Sequence, residues 1–159
     1  MSVDKVKQYL AKYGAADRVM EFEVSSATVE LAAIAVGVEP ARIAKTLSFK
    51  DKEGACLLIV AAGDVRIDNK KYKEEFAYKA KMLTAEEAIA MTGHAVGGVC
   101  PFALPQGVNV YLDESLKRFD TVFPACGSSN SAIELTPDEL FLYSGAIKWV
   151  NIAKINAEQ

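Results

Sequence analysis

Apolar residues at Val3, Val6 and Leu10 share one face at helical spacing, which predicts an opening helix with Ser2 as N-cap and Gly14 as its stop. Residues 19–24, "VMEFEV", alternate apolar and charged positions and predict a strand; "SATVELAAIAVG" then predicts a helix of small residues that ends at Gly37. After the Glu39-Pro40 turn, "ARIAKTLSFK" passes into a strand, residues 51–54 offer a hairpin turn, and "ACLLIVAAG" is a continuous apolar run that predicts a strand buried on both faces. Thr84 followed by Glu87 is a capping-box signature for "AEEAIAMTG", closed by Gly93. Downstream, "VNVYLD" and "DTVFPA" predict strands around a short helical "ESLKRF", and "SAIEL" predicts another. Thr136, Pro137 and Glu139 supply an N-cap, an N1 proline and a capping-box partner for "DELFLYSG", ahead of a last strand, "IKWVNIA". Helices scattered irregularly among hairpin-connected strands predict an α+β fold: one domain over residues 1–159, around a mixed, mostly antiparallel twisted sheet.

Composition narrows the function classes. The chain has 159 residues, 51% of them hydrophobic, enough for a substantial core in one domain. No window reaches the length of a membrane span and the amino terminus lacks the apolar run of a signal peptide, so a cytoplasmic protein with no membrane partner is expected. A net charge of −3 argues against broad binding to a phosphate backbone. Within it, "NKKYKEEFAYKAK" gathers Lys70, Lys71, Lys73, Lys79 and Lys81 with Tyr72 and Tyr78 interleaved, a pattern that is usually a solvated face and less often a nucleic-acid contact. Three cysteines without a CxxC pair, beside one histidine, make neither a disulfide framework nor a metal site. Cys56, within "ACLLIV", reads as a small buried hydrophobe.

Three stretches invite chemistry. In "HAVGGVCPFALP", His94 and Cys100 suggest a thiol and its base, but Pro101 has no N–H to offer an oxyanion, and the loop leaves contact between them undetermined. "GGVCP" lacks the lysine and the helix start of a phosphate loop. The same stretch also reads as a backbone cradle, with Gly97 and Gly98 permitting close approach and Pro101 and Pro105 restricting the chain. Lys45, between apolar neighbours, is either a snorkelling surface residue or a partly desolvated functional amine. In "ACGSSNSAIEL", residues 127–131 form a polar turn that is either ordinary surface or a second binding loop.

Taken together, "ARIAKTLSF", "TGHAVGGVCPFALP" and "ACGSSNSAIELTPDEL", in this order and spacing, resemble the YbaK/ProX family of aminoacyl-tRNA deacylases, in its freestanding branch. The resemblance implies a twisted, barrel-like sheet surrounded by helices, and hydrolysis of the ester that joins a wrong amino acid to the tRNA terminal adenosine, with no metal or organic cofactor. It assigns Lys45 the catalytic role and gives Gly97, Gly98, Val99, Cys100 and Pro101 the glycine-x-x-x-proline loop that positions the carbonyl. His94, Gly127, Ser128, Ser129 and Asn130 join these as substrate-binding residues. The implied partners are the aminoacyl-tRNA acceptor end, toward which Lys70 to Lys81 would steer the tRNA body, and an aminoacyl-tRNA synthetase such as prolyl-tRNA synthetase. Small amino acids (alanine, cysteine or serine), with tRNA(Pro) as the favoured carrier, are the expected substrates. Water attack is expected to be assisted by the neighbouring ribose hydroxyl of the substrate. Two departures bear on pocket width: Cys100 replaces the usual small or hydroxyl residue, and Ala103 stands where a further glycine is expected. The competing readings are a non-catalytic binding module of the same fold and a cysteine-dependent hydrolase using Cys100.

Overall fold

The computed structural model of the protein describes residues 2–24, 28–94 and 97–156. The first helix, α1 (Ser2–Ala11), buries Val3, Val6 and Leu10, and Gly14 follows it in the left-handed region; the Ser2 side chain, expected as N-cap, lies outside the described residues. β1 is only Met20–Glu21, because its partner β7, Ser131–Ala132, offers two residues to pair with. α2 (Val29–Val36) starts at Thr28, whose hydroxyl accepts from Leu31 N, and stops at left-handed Gly37.

β2 (Ile43–Lys50) and β3 (Cys56–Ala62) form the hairpin on which the rest is built. All seven residues of β3 are buried, as its unbroken apolar run predicts. Leu58, Val60 and Ala62 enter the larger core with Val6 and Leu10 of α1 and with Ala88, Leu140 and Tyr143, while Leu57 and Ile59 pack on the other face against Phe49, Tyr72 and Ile152. A strand sandwiched this way belongs in the middle of a sheet. β3 is indeed central in the order β6-β2-β3-β5-β8, where β5 is Asn109–Asp113, β6 is Phe123–Pro124 and β8 is Lys148–Val150.

The architecture is a mixed α+β domain. The antiparallel share of the central sheet is confined to β2–β3; the β2–β6, β3–β5 and β5–β8 pairings are parallel. Antiparallel pairing returns in two ribbons, β1–β7 and β4–β9, with β4 at Val65–Ile67 and β9 at Ala153–Ile155. Among the described residues β6 and β8 remain edges that do not pair with each other.

The expected last strand is split in two. Ile152 N donates to the buried Asp113 carboxylate at 2.9 Å instead of to a neighbouring strand, and this turns the chain from β8 into β9. α4 (Ala85–Thr92) and α5 (Pro137–Ser144) both open with complete capping boxes, from Thr84 and Glu87 and from Thr136 and Glu139. One helix had no apolar periodicity to announce it: α3 (Asn69–Phe76) holds most of the lysine run, and Asp68 caps it by accepting from Lys70 N and Lys71 N.

Candidate active site

β6 pairs with β2 only at Ile43 and Ala44 and then turns away through Ala125, so the edge of β2 opens into a cleft of about 340 Å³. Its walls are Thr28, Val29 and Ala32 from the start of α2, residues 43–47 of β2, Phe123 and Ala125 from β6 and its exit, Ser131 and Ala132 of β7, and Gly97 and Val99 of the loop after α4. Lys45, Gly97 and Val99, drawn from distant parts of the sequence, thus meet on one cavity.

Lys45 is half-buried, and its amine donates to the carbonyl oxygen of Val65 at the start of β4. Burial lowers its pKa from the ordinary lysine value, opposed by the charges of Asp64 and Glu30. The turn before Val65 is held from several directions. Arg118 grips Asp64 with two bonds, Nη1 to Oδ2 at 3.1 Å and Nη2 to Oδ1 at 2.5 Å, and keeps that carboxyl below the usual range. Gly63 runs so close to the 40–42 turn that a Cβ there would lie 2.1 Å from Pro40 O. The sequence reading missed Gly63, Asp64 and Arg118; a glycine-aspartate pair directly after an apolar strand was the available signal for a tight turn.

The two loops singled out from sequence are packed backbone to backbone. A Cβ on Gly98 would meet Ser128 N at 2.5 Å and Gly127 C at 2.6 Å, so only glycine allows this approach. Gly97 and Gly127 take φ of 80° and 95°. The 127–131 turn is stitched internally: Ser131 Oγ accepts from Cys126 N and donates to Ser128 O, and Ser128 Oγ donates to Asn130 Oδ1. Asn130 Nδ2 in turn donates to Phe22 O at 2.7 Å. Of this turn only Ser131 reaches the cleft wall; Gly127 and Ser128 pack against Gly98 from behind, Asn130 ties the turn to Phe22, and Ser129 stays half-buried on the same turn.

His94 and Cys100, expected to bind substrate, are placed in the core and not on the cleft wall. Both are fully buried and neither lines the cleft; Pro101 is buried as well. His94 Nε2 lies 2.7 Å from Phe102 O, so it carries the proton and donates to that carbonyl, and Cys100 Sγ sits 3.6 Å from the same nitrogen. A nucleophilic thiol needs a lowered pKa. Burial instead pushes the Cys100 thiol up to about 12 and drives the His94 pKa down, which keeps both groups neutral. The pair forms a backing that ties His94 to Cys100 and Phe102. Ala103, the second departure, has φ of 55°, a left-handed conformation that explains the glycine expected there.

In the lysine run, Tyr72 is fully buried among Phe49, Phe76 and Tyr78, so it is core and not a stacking platform. Lys71 reaches back to Ala153 O, while Lys70, Lys73, Lys79 and Lys81 are exposed. Among the described residues, no group of three or more histidine, cysteine or acidic side chains could hold a metal ion, and no helix is long and apolar enough to cross a membrane.

The family model of the aminoacyl-tRNA editing domain matches residues 23–142, a span that includes every cleft wall. The chain belongs to the aminoacyl-tRNA editing domain family. This editing domain is 53% identical to the uncharacterized protein YwhH of Bacillus subtilis, over 97% of this chain and 98% of that one. It is 28% identical, over 71% of its length and 70% of the relative's, to EbsC of Enterococcus faecalis, named as a candidate Cys-tRNA(Pro)/Cys-tRNA(Cys) deacylase. Among solved structures, that of a candidate trans-editing enzyme for prolyl tRNA synthetase superposes with a TM-score of 0.87 at 31% identity, covering 96% of this chain and 97% of the other. Aminoacyl-tRNA deacylation is accordingly the activity class of this editing domain.

Proposed function

We propose that the protein is a trans-editing hydrolase that removes a small amino acid, alanine, cysteine or serine, from mischarged tRNA, with tRNA(Pro) the favoured carrier. The observation that carries this reading is the meeting of Lys45 and the 97–99 loop on one narrow cleft whose wall includes four alanines, Ala32, Ala44, Ala125 and Ala132, beside Val29, Ile43, Leu47 and Phe123. Such walls admit a small side chain and exclude larger ones by overlap. The names of EbsC and of the trans-editing neighbour agree with cysteine as one substrate and with a prolyl-tRNA synthetase as the source of the errors.

In this reading the terminal adenosine enters the cleft with its ester against the 97–101 loop. The Lys45 ammonium, which spends one N–H on Val65 O, keeps two to hold the terminal phosphate or the charge that develops on the ester carbonyl. Inward amides of the loop share that charge. No carboxylate or imidazole is among the described residues of the cleft wall, so the substrate's own ribose hydroxyl orients the attacking water. Water adds to the carbonyl carbon, the bond to the 3′ oxygen breaks, and that oxygen leaves with a proton as the free tRNA terminus. The exposed Lys70, Lys73, Lys79 and Lys81 supply positive charge for the tRNA body outside the cleft.

A panel of mischarged tRNAs tests this. Release of alanine, cysteine or serine that is lost in Lys45→Ala and kept in Cys100→Ala is the expected result. Hydrolysis lost with Cys100→Ala would return the thiol reading, and an inert wild type that still binds tRNA would leave a binding module.

A further inference from the structure

The outer edge of β2 is partnered at both ends and open between them. At its start, Ile43 and Ala44 pair with Phe123 and Pro124. Near its end, Leu83 N donates to Ser48 O at 3.1 Å and Lys50 N donates to Lys81 O at 2.8 Å, around the bridge between Phe49 and Met82. The N–H and C=O groups of successive strand residues point to opposite sides. Ser48 and Lys50 therefore face outward, whereas Asp51 N, next in line, donates inward to Ala55 O across the hairpin. Thr46 is in phase with Ser48 and Lys50. Its main-chain N–H and C=O point away from β3, into the interval between β6 and the 81–83 segment, where no described main-chain group meets them.

Two further observations single out this residue. Thr46 lines the cleft, and its hydroxyl is buried without a hydrogen-bond partner among the described residues. Leaving such groups unpaired costs free energy, so a donor, a main-chain acceptor and a hydroxyl on one residue at a cleft wall fit a ligand that brings the complementary set. The interval from Ala44 to Ser48 is four strand steps, about 13 Å, enough for one amino-acid residue and its ester.

We infer that the substrate's aminoacyl group docks on Thr46 as a one-residue strand, its α-amino group donating to Thr46 C=O and its ester carbonyl accepting from Thr46 N–H. The inference deepens the deacylase reading and rests on it. Two residues that exchange both bonds form the narrow pair of an antiparallel ladder, and peptides dock on open sheet edges by the same bonds. An aminoacyl ester carries the minimum needed: one nitrogen, one α-carbon and one carbonyl. The carbonyl has a second acceptor site for a loop amide, so both walls of the cleft polarise it. A turn about χ1 brings the Thr46 hydroxyl beside its own carbonyl as a further acceptor for the ammonium. Recognition is thereby divided: the β2 edge reads what all L-aminoacyl esters share, and the cleft walls read side-chain size.

The test uses the full ¹⁵N-labelled chain and two non-hydrolysable probes, adenosine bearing L-alanine through an amide at its 3′ position and the lactyl counterpart, in which a hydroxyl replaces the α-amine. Expected are at least about tenfold slower hydrogen exchange at the Thr46 amide on saturation with the alanyl probe, and at least about tenfold tighter binding of alanyl than of lactyl, the size of a hydrogen bond to a charged group. Unchanged exchange at Thr46, or equal affinity for the two probes, overturns the inference. The two readings fail separately. Deacylation of mischarged tRNA with Thr46 unaffected removes the docking site and keeps the enzyme. Protection of Thr46 by the alanyl probe in a protein that leaves every mischarged tRNA intact removes the enzyme and keeps the site.

Discussion

The loop after α4 has two sides with opposite chemistries, one lining the cleft and one turned into the core. On the cleft side, Gly97 and Val99 bring backbone toward the half-buried amine of Lys45. On the buried side, His94 and Cys100 bring the side chains that look more reactive, and burial holds both neutral. Reactive residue types in a sequence are therefore a poor guide to where chemistry occurs; access to solvent and a compensated charge decide it. Lys45 keeps a carbonyl partner and two nearby carboxylates, whereas the His94 Nδ1 atom has no hydrogen-bond partner among the described residues.

The largest expected effect that sharpens this contrast is on the cleft side. Lys45→Met should lower deacylation by about a hundredfold or more, the usual scale for removing a group that meets developing charge. The same change should raise thermal stability at neutral pH. The folded pKa of Lys45 lies below its unfolded value, so the charged amine costs stability below the lowered pKa, and that cost disappears as pH rises toward 10.5. Melting curves at neutral and at high pH check it: the advantage of the methionine variant should shrink on going up in pH, and a variant less stable at neutral pH would break the contrast.

Gly98→Ala comes next. The added Cβ would press on the Ser128 backbone, and overpacking of this kind costs about 1–3 kcal/mol, with lost activity because the loop must shift where Gly97 and Val99 line the cleft. Denaturant unfolding alongside kcat/KM measures both. On the buried side, Cys100→Ala should cost about 1 kcal/mol as a small cavity and leave turnover within a few-fold. A drop comparable to that of the lysine variant would erase the distinction between the two sides. The smallest effect is a gain: Ala103→Gly relieves a left-handed alanine and should stabilise by roughly 0.5–1 kcal/mol, read as a higher unfolding midpoint.

The parts of this molecule that were readable from sequence are those governed by neighbours along the chain. Both capping boxes, the Gly37 and Gly93 stops and the doubly buried β3 follow from spacings of a few residues. What escaped depends on partners far away. The 19–24 alternation shrinks to two strand residues because β7 is that short, and the last strand breaks because Asp113, thirty-nine positions earlier, takes the Ile152 amide. α3 carries its buried face on little more than Tyr72 and Phe76, too few residues to stand out in a lysine run. At the site, resemblance to a family supplied Lys45 and the 97–101 loop, but the inward turn of His94 and Cys100 and the Arg118 grip on Asp64 required the fold.

The three cysteines, Cys56, Cys100 and Cys126, are all buried, with every thiol raised above its ordinary pKa. A thiol reagent in solution can reach them only through opening of the structure. Their labelling kinetics therefore serve as a built-in gauge of breathing: Cys56 reports on the central hairpin, and Cys100 and Cys126 on the backing of the cleft. Slower labelling of that last pair when an aminoacyl analogue is added would register occupancy of the cleft without a dye, a tag or turnover.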